Sequence, residues 1–374
     1  MIKTIYRCIV LLLLLNSNAL LADSSTPLPL DKLKLPPGFS ISIYAEKLPG
    51  ARTLASSDSG VIFIGTRGEG KVYALIPAKN VNEKMRMITL LTGLNEPNGV
   101  AYYQGDLYVA ETNRILKYEK VETHIDNMPA PIVLTDQLPN EKWHGYRVLH
   151  VGPDKKLYVA IGMPCNTCFH RNDQPLFGTI ARMSLNGKDL EVYALGVRNS
   201  VGFDWHPKTH ELWFTDNGQD FMGDDIPPDE INRATQKGQD FGFPYVYGDN
   251  ILAPGYKPEI IKNLKFEPPA YKLPAHVAPL GLFFYTGMQF PPAYHYQPFV
   301  ALHGSWNRSK KAGYEVIKLT LNGNQVTGTE PFITGWLQGE IAWGRPVDFL
   351  MLPEGSLLIS DDFNGVIYQV SWKQ

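Results

Sequence analysis

A histidine in a glycine-flanked segment is the first candidate for chemistry in this sequence. His144 lies within residues 143–147, which are predicted to form a turn that leads into a strand. Imidazole titrates near neutral pH, so His144 is a candidate general base. A surface or packing histidine is the alternative, because the chain contains nine histidines.

An arginine and an asparagine interrupt an apolar segment further along the chain. Arg198 and Asn199 lie within residues 195–204, which are otherwise mostly apolar and contain two glycines. A buried guanidinium requires an anion or several hydrogen-bond acceptors. Arg198 is therefore predicted either to contact a carboxylate of a substrate or cofactor, or to pair with Asp204 or Asp216.

Other arginines follow a similar pattern. Arg67 lies in a glycine-rich turn, and Arg308 and Arg345 each lie close to a tryptophan. Arginine can stack on a planar anion or bridge it. Because the chain as a whole has a formal net charge of −2, these arginines suggest one focused anionic ligand. The mild acidity gives no indication of binding to nucleic acid or to an anionic membrane.

Carboxylate and amide residues are dense between residues 215 and 232. Ca²⁺ takes roughly six to eight oxygen ligands, so this segment is a candidate calcium site, although its spacing is not that of an EF-hand. A solvated acidic loop is the alternative. No Ser-His-Asp order, phosphate-binding loop or Rossmann glycine pattern appears in a supporting context.

The elements that must position these residues come from a repeat. Alternating apolar residues, followed by a small or polar residue, recur in copies that begin at residues 61, 107, 157, 212, 299 and 357. Repeats of about 40–50 residues with several strands each are typical of propeller blades. The sequence predicts an all-β, six-bladed β-propeller, closed by an end strand that pairs with the opposite terminus. Loop insertions are expected between residues 212 and 299.

The N-terminal residues have the composition of a secretory signal peptide, with two basic residues, an apolar run and small residues before Asp23. We expect residues 1–22 to be a signal peptide, residues 23–374 to be one propeller domain, and the product to be periplasmic or secreted. The apolar run is shorter than the roughly 20 residues that span a bilayer, so stable membrane insertion is not expected.

After such processing, Cys165 and Cys168 are the cysteines that remain. In an oxidising compartment this pair is predicted to form a local, structural disulfide. A redox-active pair lacks a thioredoxin-like context, covalent haem attachment would need histidine in place of Phe169, and two thiols cannot complete a zinc site.

Seven short motifs, in this order on a six-fold repeat, resemble the glucose/sorbosone dehydrogenase family, and the sorbosone-dehydrogenase-like branch most of all. The motifs are residues 35–41, 65–68, 144–147, 195–200, 229–232, 241–245 and 303–308. The resemblance covers about residues 35–370. It implies a six-bladed propeller with pyrroloquinoline quinone (PQQ) and Ca²⁺ in a central funnel. It also implies oxidation of an aldose sugar or a related alcohol or aldehyde, with electrons passed to a separate acceptor.

The resemblance also implies roles for individual residues. His144 would take the proton of the sugar hydroxyl, Arg198 would stabilise charge on the cofactor, and Asn199 would contact the cofactor. The residues that would neutralise the PQQ carboxylates are Arg67, His303 and Arg345.

Two positions depart from the family pattern. The main-chain carbonyls of Gly218 and Gln219 would bind Ca²⁺, and Gln219 replaces the usual proline, which a carbonyl ligand tolerates. The chain also has Met163 where glucose-oxidising members have an aspartate that orients the histidine. Another group would then have to set the imidazole tautomer, or the base would be weaker.

Two other functions are compatible with a propeller. A Ca²⁺-dependent lactonase or related hydrolase would depend on the Asp/Asn-rich strand end near Asp216 and Asn217. A non-catalytic propeller would bind a glycan or a protein. The sugar itself is not predicted, because residues 250–279, where substrate choice is expected, contain no guiding motif.

Overall fold

Each copy of the repeated pattern contributes the second strand of a small, mainly antiparallel sheet. The computed structural model describes residues 27–373 except 79, 81, 169 and 171, and within them six such sheets surround a central axis. The second strands are almost entirely buried, because each sheet packs against a neighbour on both faces. The predicted all-β, six-bladed β-propeller is confirmed.

We number the blades 1 to 6 along the chain and give the strands of each blade from the axis outwards. Blade 1 consists of Leu54–Ser56, Ile62–Ile64, Val72–Ile76 and Arg86–Leu91. Blade 2 consists of Gly99–Tyr103, Asp106–Ala110, Ile115–Tyr118 and Ile132–Thr135. Blade 3 consists of Leu149–Val151, Lys156–Ile161, Thr179–Ser184 and Glu191–Leu195. Blade 4 consists of Phe203–Trp205, Leu212–Asp216, Asp229–Ala234 and Tyr271–Leu273. Blade 5 consists of Pro279–Phe284, Pro298–Leu302, Glu315–Asn322 and Gln325–Ile333. Blade 6 consists of Pro346–Met351, Leu357–Asp361, Val366–Trp372 and Phe39–Ala45.

The ring is closed by the two ends of the described chain. The N-terminal strand Phe39–Ala45 is the outer strand of blade 6 and pairs antiparallel with Val366–Trp372, with Phe39 opposite Trp372 and Ile43 opposite Tyr368. This pairing confirms the predicted closure. It completes the four-stranded sheet of blade 6, which packs face to face against blade 1.

Hydrogen bonds between inner strands join neighbouring blades. The carboxylate of Asp204 accepts a hydrogen bond from the N–H of Phe284 at 2.8 Å, and that of Asp348 accepts one from the N–H of Leu54 at 2.9 Å. The strands approach closely at Gly281, where an added Cβ would lie 2.6 Å from the carbonyl oxygen of Val347. Only glycine allows this approach.

The apolar core is divided among the blade interfaces. Six clusters of buried side chains can be distinguished in the described part of the chain, one between each pair of adjacent blades. Blades 5 and 6 enclose the most aromatic of these, which includes Tyr285, Phe290, Phe299 and Trp336. Burying one such phenylalanine contributes roughly 1.5–3 kcal/mol, so the interfaces hold the ring together.

The predicted insertion between residues 212 and 299 lies mainly between the third and fourth strands of blade 4. Its strand Gln239–Asp240 extends blade 3 in parallel with Glu191–Leu195. The remaining short elements of the described chain are Leu30–Lys32, Val121–His124, Pro258–Ile261 and Pro292–Tyr294, all helical, and two hairpins that pair Val246–Tyr247 with Ile251–Leu252 and Leu337–Gln338 with Ile341–Ala342.

Two further predictions concern compartment and covalent structure. Cys165 and Cys168 form a disulfide, as predicted. The predicted signal peptide, residues 1–22, lies outside the described residues. Across the residues that are described, no helix is both long and apolar enough to cross a membrane.

Candidate active site

A cavity of about 510 Å³ opens at one end of the propeller axis. Second strands end and inner strands begin at this end of the ring, so the loops that follow second strands and the loops that precede inner strands converge here. Gln219 is buried beside the cavity, and its side-chain oxygen accepts a hydrogen bond from the hydroxyl of Tyr247 at 2.5 Å. The predicted site residues that line the cavity are Arg67, His144, Arg198, Asn199, Gly218, His303 and Arg345.

The imidazole of His144 is held in one orientation by a main-chain group. Its Nδ1 lies 2.7 Å from the carbonyl oxygen of Met163, so Nδ1–H donates and Nε2 carries the lone pair. Burial and the charge of Arg198 lower the pKa of His144 from 6.5 to about 3, although the Met163 hydrogen bond acts in the opposite direction. His144 is therefore neutral at pH 7 and can accept a proton at Nε2.

Met163 thus performs the task that the missing aspartate was expected to perform. The group that sets the tautomer is its carbonyl oxygen, which no side-chain pattern could reveal. Gly162 makes room for this arrangement, because a Cβ there would lie 2.7 Å from Cβ of His144 and 2.9 Å from Oδ1 of Asn199.

The backbone of His144 adopts a left-handed conformation, with φ of 53°. Arg147 is fully buried and stabilises this turn, donating from Nη1 to the carbonyl of His144 at 3.2 Å. Its Nε and Nη2 donate to the carbonyls of Thr112 and Pro139 at 3.0 and 2.8 Å. The turn that presents His144 is therefore tied to the loops of blade 2.

Arg198 is buried at the wall of the cavity and pairs with Asp220, whose Oδ2 lies 2.9 Å from Nη2. The expected partners Asp204 and Asp216 do not take this position. Asp204 joins blades 4 and 5, and Asp216 accepts the main-chain N–H groups of Arg198 and Asn199 at 2.8 and 2.6 Å. Burial raises the pKa of Asp216 to about 8.

A second group of cations surrounds Asp362, a residue that sequence reasoning did not single out. Nη1 of Arg52 lies 2.7 Å from its carboxylate. Although burial acts in the opposite direction, His303 and Arg52 hold the pKa of Asp362 well below its usual range. The guanidinium groups of Arg52 and Arg67 lie 5.1 and 4.3 Å from the ring centroid of Tyr146, within cation–π distance.

His303 and Arg345 form the adjoining wall. Nε2 of His303 lies 2.8 Å from Oδ1 of Asp362, and burial lowers the pKa of His303 to about 4. Its imidazole therefore offers hydrogen bonds rather than the positive charge that the family resemblance implied. Arg345 donates to the carbonyls of His303 and Gly304 at 3.0 and 2.7 Å, so these contacts leave its charge uncompensated.

The cavity carries a net positive charge. Of the described residues that line it, five are basic and two are acidic, and burial raises the pKa of one of the acids, Asp229, to about 6. Such a concentration of cations in a partly buried cavity favours an anionic ligand. The basic residues are Arg52, Arg67, Lys142, Arg198 and Arg345.

Metal-binding groups are less concentrated. The described residues contain no cluster of three or more histidine, cysteine, aspartate or glutamate side chains that could hold a metal ion. Gly218 lies at the cavity wall and donates its N–H to the carboxylate of Asp229 at 2.7 Å. A calcium ion here would depend on main-chain carbonyls, as predicted for Gly218 and Gln219, together with oxygens of a bound cofactor.

Aromatic side chains stand at the mouth of the cavity. Trp143 and Trp306 both line it and are 52% and 62% exposed. Phe221 contacts Trp306 edge to face, with ring centroids 5.6 Å apart. Trp143 lies directly beside His144, with ring centroids 5.7 Å apart, so an aromatic surface adjoins the candidate base.

The fold and the sequence have relatives among known proteins. Residues 111–336 match the Glucose / Sorbosone dehydrogenase family. An uncharacterized protein of Borreliella burgdorferi is 35% identical over 100% of this chain and 98% of its own length. A calcium structure of the Trichoderma reesei carbohydrate-active enzyme family AA12 is 19% identical, with a TM-score of 0.77 over 91% of this chain and 97% of that chain. The holo form of the pyranose dehydrogenase PQQ domain from Coprinopsis cinerea is 16% identical, with a TM-score of 0.73 over 91% and 97%.

The fold and site define a class: a six-bladed propeller whose arginine-lined axial cavity contains a neutral histidine of fixed tautomer. The two similar structures bear on the fold alone at these identities. The family match covers more than half of the sequence. The chain therefore belongs to the glucose/sorbosone dehydrogenase family, as the seven motifs predicted.

Proposed function

We propose that this protein is a PQQ- and Ca²⁺-dependent dehydrogenase that oxidises an aldose sugar or a related alcohol or aldehyde. The observation that carries the proposal is one net-positive cavity that contains a neutral histidine with Nε2 free to accept a proton. Membership of the glucose/sorbosone dehydrogenase family supports it. A structure named as a PQQ domain of a pyranose dehydrogenase has the same fold.

The cavity fits PQQ in size and charge. PQQ is a planar quinone with three carboxylates, and the cavity of about 510 Å³ falls within the roughly 300–1,000 Å³ of small-molecule sites. Arg345 and Arg67 would hold its carboxylates, and Asn199 and His303 would donate or accept hydrogen bonds. When bound, PQQ supplies a quinone that accepts a hydride from the substrate.

The protein's own residues then perform proton and charge chemistry. His144 would accept the hydroxyl proton of the substrate at Nε2, while Met163 holds Nδ1–H in place. Arg198 would stabilise negative charge that develops on the cofactor, because its guanidinium is fixed at the cavity wall by Asp220. Trp143 and Trp306 would bind the apolar face of a sugar ring at the mouth.

The proposal also includes the metal ion and the cellular compartment. The carbonyls of Gly218 and Gln219 would bind Ca²⁺ together with cofactor oxygens, in keeping with the preference of Ca²⁺ for oxygen ligands. Export by residues 1–22 would place the protein in the periplasm or outside the cell, where the Cys165–Cys168 disulfide is stable. Electrons would pass to a separate acceptor.

A Ca²⁺-dependent hydrolase is less well supported. It would require Asp216 and Asn217 as metal ligands, but both carboxylate oxygens of Asp216 accept main-chain hydrogen bonds. Nδ2 of Asn217 donates to the carbonyls of Asn199 and Pro279 at 3.0 and 3.1 Å. These side chains hold neighbouring loops together.

Reconstitution tests the proposed function. Purified protein is incubated with PQQ and Ca²⁺, and reduction of a redox dye is followed with a panel of aldoses, polyols and aldehydes. We expect sugar-dependent reduction that requires PQQ and is lost when a chelator removes Ca²⁺ before loading. Dye reduction that is independent of PQQ, or none with any member of the panel, would contradict the proposal.

A further inference from the structure

One loop contacts both candidate reacting groups. Residues 163–168, which we call the disulfide loop, follow the second strand of blade 3 and end at the Cys165–Cys168 bridge. At the start of the loop, the carbonyl of Met163 accepts the Nδ1–H of His144, and its N–H donates to the carbonyl of Arg198 at 2.9 Å. The loop therefore fixes the imidazole directly.

Asn166, inside the bridge, fixes the arginine. Its carbonyl oxygen accepts from Nε of Arg198 at 3.1 Å, and its Oδ1 accepts from Nη2 of Arg198 at 2.8 Å. Oδ1 also accepts the N–H of Asp220 at 2.9 Å, and Nδ2 donates to the carbonyl of Asp220 at 3.0 Å. One side chain thus joins the disulfide loop, Arg198 and the segment that contains Gly218.

The contacts of Asn166 matter for the position of Arg198, because Arg198 carries a buried charge that needs hydrogen-bond acceptors. Its guanidinium is buried, and Asp220 and the carbonyl of Asn217 supply its other described acceptors. Truncation of Asn166 to alanine would leave its carbonyl in place, but it would remove the Oδ1 acceptor from a buried cation and release Asp220 from its reciprocal pair of hydrogen bonds. Arg198 and Asp220 would then be free to move together.

The disulfide keeps Asn166 in position. It closes a turn in which the N–H of Cys168 donates to Sγ of Cys165 at 2.5 Å, while Thr167 faces solvent. A bridge across so short a segment removes alternative conformations of the residues within it. We propose that Asn166, held by the Cys165–Cys168 disulfide, is a positioning residue for Arg198. Its effect on turnover rests on the proposed function.

The test uses five variants of the full chain: Asn166→Ala, Cys165→Ser/Cys168→Ser, the combination of these three changes, Thr167→Ala as the matched control, and Asn166→Asp as the conservative variant. The disulfide is removed by serine substitution rather than by a thiol reductant, because thiols reduce quinones directly. The first measurement is amide hydrogen exchange of the peptide that contains Asp220, in protein without PQQ. We expect faster exchange in the first three variants and wild-type exchange in Thr167→Ala.

The second measurement is turnover after loading with PQQ and Ca²⁺. A misplaced catalytic arginine is expected to lower kcat by about 10- to 100-fold, with a smaller change in KM. Because both changes act through Asn166, the combined variant should lose little more than Asn166→Ala alone. Asn166→Asp, which keeps an oxygen for Arg198 and the Asp220 N–H, should recover part of the loss.

The outcomes separate this proposal from the proposed function. If Asn166→Ala exchanges at Asp220 like wild type, or keeps wild-type kcat, Asn166 does not position Arg198. If the serine variant matches wild type in both measurements, the disulfide is not what holds Asn166. Wild-type protein without PQQ-dependent turnover would contradict the proposed function, and hydrogen exchange would still decide the positioning.

Discussion

Replacing the candidate base is the most informative single change. His144→Ala removes a cavity group that combines a neutral state at pH 7, a fixed tautomer and an Nε2 without a hydrogen-bond partner among the described residues. General bases contribute about 10²–10⁴-fold to rate. Burial and Arg198 lower the pKa of this imidazole, and the hydrogen bond to the Met163 carbonyl offsets only part of this effect, so His144 is a weak base. We therefore expect an effect at the lower end of this range: kcat should fall about 100-fold, which corresponds to an increase of about 2.7 kcal/mol in the activation free energy.

The assay is dye-coupled turnover of protein loaded with PQQ and Ca²⁺, with His124→Ala, an exposed histidine of blade 2, as the control. Since burial and Arg198 lower the pKa of His144, the acid limb of kcat/KM in wild type should lie below pH 6.5. Exogenous imidazole should restore part of the activity of His144→Ala. Turnover within threefold of wild type, with unchanged PQQ binding, would refute the assignment of His144 as the base.

Three further predictions test the surroundings of the site. Gly162→Ala would push a methyl group against His144 and Asn199, so kcat should fall at least tenfold and the thermal midpoint should fall as well; equal activity would refute the close packing. Arg345→Met should weaken PQQ binding at least tenfold by fluorescence titration, since the described hydrogen bonds of Arg345 go to carbonyls and it forms no described salt bridge; unchanged Kd would exclude Arg345 as a carboxylate ligand. Burial raises the pKa of Asp204 from 3.8 to about 7, so the native state retains a proton that the unfolded chain releases. Stability should fall as pH rises from about 4 to 7, and Asp204→Asn should flatten this decline in thermal scans; an identical slope would contradict the buried-carboxyl account.

The sequence predicted the fold because its cause is periodic. Each second strand is buried on both faces, so its apolar run recurs in recognisable form in every blade, and counting the copies gives the number of blades. Three of the inner strands give little signal in the sequence, since Leu54–Ser56, Leu149–Val151 and Phe203–Trp205 have only three residues each. Arg52, just before the first of these, was missed for the same reason.

The predicted site residues converge because polar groups next to strand ends meet at the axis of a propeller. What could not be predicted depends on partners that are distant in sequence or belong to the main chain. Arg52 and Asp362 are 310 positions apart and meet only after the ring has closed. The tautomer of His144 is set by the carbonyl of Met163, and every residue has a carbonyl, so no side-chain signal marks it.

The central claim is that the arginine-lined cavity binds a quinone polyanion. Isothermal titration of PQQ into the purified protein with Ca²⁺, repeated at low and high salt, tests this claim without depending on substrate. We predict one PQQ per chain, with an affinity that falls as salt rises because several cations contribute to binding. The absence of saturable binding, or an affinity that is indifferent to salt, would contradict the claim.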